Sequence, residues 1–202
     1  AKVHRDDEEH KDGSRRLERF ALKAQCNDGS SPEIHRFALK AQCNDGSPAT
    51  YYYSPGSANT YVLYLQGGGW CPDFENCKEP KSSKDDKESL SFRKGHLFNS
   101  QHGPLADASI IWASYCSMDA WAGNYSQFQG ARILDEIVDS FPFAHADLLV
   151  FAGGSAGGRG VIYNLERLLP KFPENVVALV DSAVWFDSSV ARQDAREFIR
   201  FD

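Results

Sequence analysis

No apolar run in this 202-residue chain approaches the ~18 consecutive residues that a membrane-spanning helix requires, which argues against a helical membrane protein. Basic residues are outnumbered by acidic ones, 22 against 28, for a net charge of −6. The positive surface of a nucleic-acid-binding protein is therefore missing as well. Cysteine is scarce. Five in 202 residues is too few for a miniature disulfide scaffold, and the odd number leaves at least one without a partner. Residues 1–19 contain no apolar segment of the kind that marks a secretory signal, and Ala1 rather than Met opens the chain. The expectation is that a native N-terminus, with any targeting segment, lies upstream. What remains is ordinary globular material, 42% hydrophobic and 25% charged, at a length that suits one domain or part of a larger one.

Residues 19–30, Arg-Phe-Ala-Leu-Lys-Ala-Gln-Cys-Asn-Asp-Gly-Ser, recur letter for letter at 36–47, an offset of 17. One perfect duplication is not a solenoid, which needs several repeats. It reads as a local duplication or an error in the assembled coding sequence, and it makes Cys26 the surplus twin of Cys43. Residues 1–19 carry six basic and six acidic side chains with only Val3 and Leu17 as large apolar residues, a composition expected to be disordered. The division expected from this is a charged, disordered leader over 1–35, including the first repeat copy, and a partial α/β domain over 36–202.

Within that domain, Phe37, Leu39 and Ala41 alternate with polar residues, Asn44-Asp45-Gly46-Ser47-Pro48 is strong turn chemistry, and Tyr51–Tyr53 resumes a β-rich run. Residues 36–54 are therefore expected to form a hairpin. Residues 61–65, 109–113, 148–152 and 176–180 are short continuous apolar runs, as buried parallel strands are. Residues 127–141 and 156–169 show helical spacing, the second placing Val161, Ile162, Leu165, Leu168 and Leu169 on one face before Pro170. Residues 78–94, with six basic and four acidic residues, read as an exposed insertion. Strands alternating with helices predict a mostly parallel sheet with helices on both faces.

The sharpest chemical signal is Gly153-Gly154-Ser155-Ala156-Gly157, a G-x-S-x-G motif between a buried strand and an amphipathic helix. That context is the one in which a serine sits on a strained turn with its Oγ exposed as a nucleophile. A plain glycine-rich turn, or a phosphate-binding one, is the alternative. Gln66-Gly67-Gly68-Gly69-Trp70 follows an earlier strand of the same sheet. The amides of Gly68 and Gly69, with that of Ala156 after the serine, would form an oxyanion hole. A serine also needs a base held by a carboxylate. In this architecture the order is Ser, acid, His, yet all six histidines (His4, His10, His35, His96, His102 and His145) precede Ser155. Asp181 ends the 176–180 strand, a position that can hold a triad acid.

At these residues the sequence resembles the pectin acetylesterases and the Notum carboxylesterases, serine hydrolases of α/β-hydrolase fold. The matching blocks are Gly67-Gly68-Gly69-Trp70-Cys71, Tyr115-Cys116-Ser117-Met118-Asp119, Gly153-Gly154-Ser155-Ala156-Gly157-Gly158 and Asp181-Ser182. The resemblance runs from near Cys43 to the end and covers about the first half of the family's domain, so the C-terminal strands are expected to be missing. It implies Ser155 as nucleophile and Gly68, Gly69 and Ala156 as oxyanion donors, with the acid and histidine beyond Asp202. Asp181 matches a fixed family residue that is not the triad acid. No metal or cofactor is implied. Gly69-Trp70 looks like the plant pectin acetylesterases, whereas Gly160–Arg167 looks like the Notum helix. The implied substrate is thus an acylated polysaccharide or an acylated protein, and the rival reading is a truncated, non-catalytic fragment that only binds ligand.

The resemblance also implies a local disulfide between Cys71 and Cys77, with Cys43 able to pair with Cys116. Paired cysteines point to an oxidising compartment and secretion, as does the sequon Asn124-Tyr125-Ser126. A zinc site from Cys71, Cys77, His96 and His102 is the competing reading, with cysteines too far apart for the usual ligand pair. Trp70, Trp121 and Trp185, with Asp181, are candidates for lining a substrate cleft, although Trp121 and Trp185 equally suit core packing.

Overall fold

A computed structural model describes residues 20–23, 33–71, 77 and 104–183. Seven strands form one sheet. They are β1 (Phe20–Lys23), β2 (Glu33–Gln42), β3 (Pro48–Ser54), β4 (Thr60–Leu65), β5 (Ser109–Ala113), β6 (Leu148–Gly154) and β7 (Val176–Asp181). Helix α1 (Gly130–Val138) lies between β5 and β6, and α2 (Ala156–Leu168) between β6 and β7. The spatial order is β1-β2-β3-β5-β4-β6-β7. Pairing is antiparallel from β1 to β5 and parallel across β5, β4, β6 and β7. This is the α/β class expected.

The hairpin forms where the turn chemistry places it. Cys43 N–H donates to the Ser47 carbonyl and Gly46 N–H to that of Cys43. Gly46 takes φ 82°, and Asp45 Oδ1 accepts from the Ser47 amide and hydroxyl. β2 is irregular between Ala38 and Gln42. The amides that leave the ladder there are not orphaned. Lys40 and Ala41 donate to the Glu136 carboxylate of α1, and Gln42 to Gln129 Oε1.

One face of the sheet packs Phe37, Tyr51, Leu63, Leu65, Ile111 and Phe151 against Ile133, Leu134 and Ile137 of α1 and Val161 and Leu168 of α2. The other face buries Ile34, Tyr52, Val62, Ile110, Trp112 and Val150. Alternate residues of each strand thus divide between two cores, as the pleat requires, and this explains the unbroken apolar runs of the central strands.

Three expectations change. First, β1 and the start of β2 fall inside the stretch 1–35 read as a disordered leader. The first repeat copy contributes the edge strand Phe20–Lys23, its backbone paired to Glu33–Arg36. Second, the buried stripe of α2 coincides with the expected apolar one only in part. Ile162 and Leu169 are exposed, while Gly157, Gly160, Val161, Asn164 and Leu168 face inward, because small residues let the helix approach the sheet closely. Third, β7 is not a buried strand like the other apolar runs but the apolar edge expected where the family's further strands are missing. Val177, Leu179 and Val180 are all exposed, β7 being the last strand of the described sheet. The insertion at 78–94 lies outside the described residues. Among the described residues no helix is long and apolar enough to cross a membrane.

Candidate active site

Ser155 occupies the single residue between β6 and α2, with φ 53° and ψ −118°. A non-glycine residue in this region carries about 1–3 kcal/mol of strain and persists only where its surroundings hold it. Here the Ser155 amide donates to the Asp181 carbonyl (2.9 Å) and the Ser155 carbonyl accepts from the Arg159 amide (3.1 Å). The turn exposes Ser155 between two buried neighbours, Gly154 and Ala156. A Cβ on Gly157 would strike the Leu65 carbonyl, so α2 can sit over the end of β4 only with glycine there.

The glycine loop leaving β4 lies against this turn. A Cβ on Gly67 would come within 2.5 Å of the Gly154 carbonyl oxygen and 3.1 Å of Ser155 Cβ. Gly68 is half-buried, Gly69 and Trp70 are exposed, and Ala156 opens α2. The fold therefore brings the serine, the glycine loop and the N-terminus of α2 to one end of the parallel strands, where ligands of open α/β sheets bind.

The remaining candidates divide. Asp181 is exposed at the end of β7, bonded through its carboxylate to the Ser182 hydroxyl, and it serves the serine turn through its backbone carbonyl. Trp121 is fully buried, so it packs and does not line a cleft. Trp185, His96 and His102 lie outside the described residues. Of the described histidines, His35 is on β2, with three strands between it and β6, and His145 precedes β6, at the opposite end of that strand from Ser155. Neither is positioned as its base.

Cys43–Cys116 and Cys71–Cys77 are disulfides. The second removes both thiolates that the zinc reading needed. Cys71–Cys77 also closes the exit of the glycine loop, with Asn44 Nδ2 against the Cys77 sulfur. Asn124, Tyr125 and Ser126 of the sequon are all exposed.

Three residues with no expected role hold the site together. Gln66, the polar residue between β4 and the glycines, accepts the Tyr115 amide on its side chain and the Trp121 indole N–H on its carbonyl. Tyr115 accepts the Ala120 amide on its hydroxyl. Asp119 accepts four donors, from Ser117, Trp121, Gly123 and Gly130. Burial pushes its carboxyl up, while the four donors act in the opposite direction. The available signal was a polar residue at the end of an otherwise apolar strand, and an aspartate inside a small-residue loop.

The profile of the pectinacetylesterase family matches residues 17–198. The palmitoleoyl-protein carboxylesterase NOTUM of Schmidtea mediterranea is 30% identical over 214 residues, covering 89% of this chain and 37% of that protein. The human palmitoleoyl-protein carboxylesterase NOTUM is 30% identical over 194 residues, covering 83% and 35%. Pectin acetylesterase 11 of Arabidopsis thaliana is 25% identical over 187 residues, covering 82% and 44%. The chain thus spans just over a third of the length of the NOTUM proteins. The crystal structure of the Wnt deacylase Notum from Drosophila superposes with a TM-score of 0.59 over 83% of this chain and 60% of that one, at 24% identity. That likeness supports the fold alone, and the fold is that of the α/β-hydrolases. With a family profile matching most of its length and its serine turn and glycine loop adjoining, the chain belongs to the pectinacetylesterase family.

Proposed function

We propose that this chain carries the nucleophile and the oxyanion hole of a serine carboxylesterase that removes O-acyl groups. The observation that carries the reading is Ser155, exposed on a strained strand-to-helix turn with Gly67 packed beside it. Ser155 Oγ attacks the ester carbonyl and gives its proton to a base. The carbonyl oxygen becomes an oxyanion facing the amides of Gly68, Gly69 and Ala156. Collapse of this intermediate expels the alcohol, which takes the proton back, and water then cleaves the acyl-serine to the free acid. The family resemblance supplies the base from a histidine with no counterpart after Ser155 here, so the chain alone is a poor catalyst. The substrate is an acylated protein or an acylated polysaccharide, supported by NOTUM relatives at 30% identity and a pectin acetylesterase at 25%. The two disulfides support a secreted, extracellular setting. A second reading, a ligand-binding fragment without catalysis, is favoured by the positions of His35 and His145.

The two readings separate with p-nitrophenyl acetate and a longer-chain ester. The expected result is slow acylation of Ser155 without sustained turnover, since an oxyanion hole without an intact triad retains about 10³–10⁴ over water. A longer polypeptide that includes the family's histidine gains several orders of magnitude, and Ser155→Ala abolishes the gain. No acyl-serine in either polypeptide favours the binding-only reading. Activity that survives Ser155→Ala removes the nucleophile assignment.

A further inference from the structure

Both ends of the glycine loop are tied to one other loop. At the entry, the Gln66 carbonyl accepts the Trp121 Nε1–H (3.1 Å) and Gln66 Oε1 accepts the Tyr115 amide (3.0 Å). At the exit, the Cys71 amide donates to the Met118 carbonyl (2.8 Å). Gly67–Trp70 is therefore an arch whose two feet stand on residues 115–121.

That supporting loop is itself strained. Met118, Ala120 and Trp121 have φ values of 57°, 54° and 67°, a region that costs a side-chain-bearing residue about 1–3 kcal/mol. Asp119 over-determines the loop. Its Oδ1 accepts the Ser117 hydroxyl (2.6 Å) and the Trp121 amide (2.9 Å), and its Oδ2 accepts the amides of Gly123 (3.0 Å) and Gly130 (2.8 Å). Gly130 is the first residue of α1, so the carboxylate also answers the positive end of that helix. All four partners are donors. An amide in place of the carboxylate would turn an N–H₂ toward one pair of them.

Trp121 has a second set of contacts, on α2. Its ring fills the space that Gly160 leaves open, where a Cβ would lie 2.7 Å from the indole, and its carbonyl accepts Asn164 Nδ2–H (3.0 Å). One residue thus touches both the glycine loop and the helix that begins at Ala156.

Building on the esterase reading above, we infer that Asp119 and Trp121 are positioning residues. Asp119 shapes the 117–123 loop so that Trp121 holds the Gly68 and Gly69 amides and the Ala156 amide on a common oxyanion. A side chain that merely stabilised the fold would change melting. One that aims oxyanion donors changes the rate of acylation at saturating ester.

Trp121→Phe is the decisive variant, because it keeps an aromatic ring against Gly160 while deleting the indole N–H together with the five-membered ring's volume, and the cavity this leaves is read separately as a lowered melting temperature. Single-turnover acylation of the 202-residue chain by p-nitrophenyl acetate is followed across ester concentration, with circular dichroism as the folding control. The limiting rate constant is expected to fall about 10- to 100-fold, less than the 10²–10³ lost with a whole oxyanion donor, while the half-saturating ester concentration stays unchanged. Asp119→Asn is expected to act in the same direction and to lower the melting temperature as well. Should it fail to fold, Trp121→Phe still decides. A folded Trp121→Phe chain with the wild-type limiting rate, or a loss confined to half-saturation, overturns the inference. Ser155→Ala separates the two claims. If it acylates as the wild type does, the nucleophile reading falls; if it is silent while Trp121→Phe is undiminished, only the positioning role falls. Where wild-type acylation is too slow to time, the ¹H–¹⁵N signals of Gly68 and Gly69 decide. They shift in Trp121→Phe if the tether aims them, and unchanged signals overturn the inference.

Discussion

A phenol buried in a core resists ionisation, because the phenolate would lose its water. Tyr51, stacked on Phe37 within the main core, is pushed up to about 12 by burial, and Tyr115, beneath the 117–121 loop, is pushed up further, first by burial and then by the neighbouring Asp119 charge. Both have folded pKa values above the unfolded value of about 10. The native state therefore holds protons that the unfolded state releases, and stability falls as pH rises. Their contribution is whole below pH ~10 and is lost as pH climbs toward ~12 and beyond. Melting temperature should stay level from neutral pH to about 10 and then drop, and tyrosinate absorbance from these two residues should appear together with unfolding. A tyrosinate signal assigned to Tyr51 or Tyr115, by its loss in Tyr51→Phe or Tyr115→Phe, at pH 10 in a fully folded chain would contradict this. At this scale the sequence was legible where chemistry forces a residue type. The glycines around Ser155 were readable because a Cβ at Gly153 or Gly157 would strike neighbouring backbone. Asp119 and Gln66 were not, since an aspartate in a loop and a glutamine at a strand end have many uses, and only the folded loop shows four donors converging on one carboxylate.

Helices and strands meet here through a few directed bonds as well as through packing. Glu136 of α1 takes two of the three amides that the irregularity of β2 releases, at 2.8 and 3.0 Å. Glu136→Ala leaves two strand amides without a protein acceptor and is expected to cost about 1–3 kcal/mol, read as a lowered urea midpoint with unchanged slope. Asp139→Asn, which removes one partner of the exposed pair with Lys171, should stay within about 0.5 kcal/mol. An equal effect of the two would sink the claim that Glu136 repairs the ladder. The strands β4 to β7 were legible from their apolar runs to within a residue or two. The inward face of α2 was not. Its alignment follows Gly157, Gly160 and Asn164, which hydrophobic periodicity ignores, so Ile162 and Leu169 were assigned inward and are exposed.

Over the whole molecule, the Cys43–Cys116 bridge joins the hairpin turn to the loop after β5 across a separation of 73 residues. Chain entropy alone assigns such a closure about 4 kcal/mol. Replacing both cysteines by alanine should therefore lower the melting temperature by many degrees, and a loss below about 1 kcal/mol would show that the native hairpin contacts suffice without it. Both pairings were expected, and both are present. The boundary of the domain was read less well, because charge density near the N-terminus masked a strand that begins at Phe20.

That strand also belongs to the repeat. The letter-for-letter repeat covers residues 19–30 and 36–47. The first copy lies alongside residues 33–36, just ahead of the second, in antiparallel register from Phe20 opposite Arg36 to Lys23 opposite Glu33. A sheet margin is among the few places in a fold where a copied stretch of coding sequence can be accommodated without rewriting anything else. It asks only for a row of unpaired backbone groups, and every strand edge supplies one. Ser155 and the glycine loop follow β6 and β4, on the far side of β3 and β5 from the addition. The added strand Phe20–Lys23 thus extends the sheet's margin without pairing with the strands that lead into Ser155 and the glycine loop.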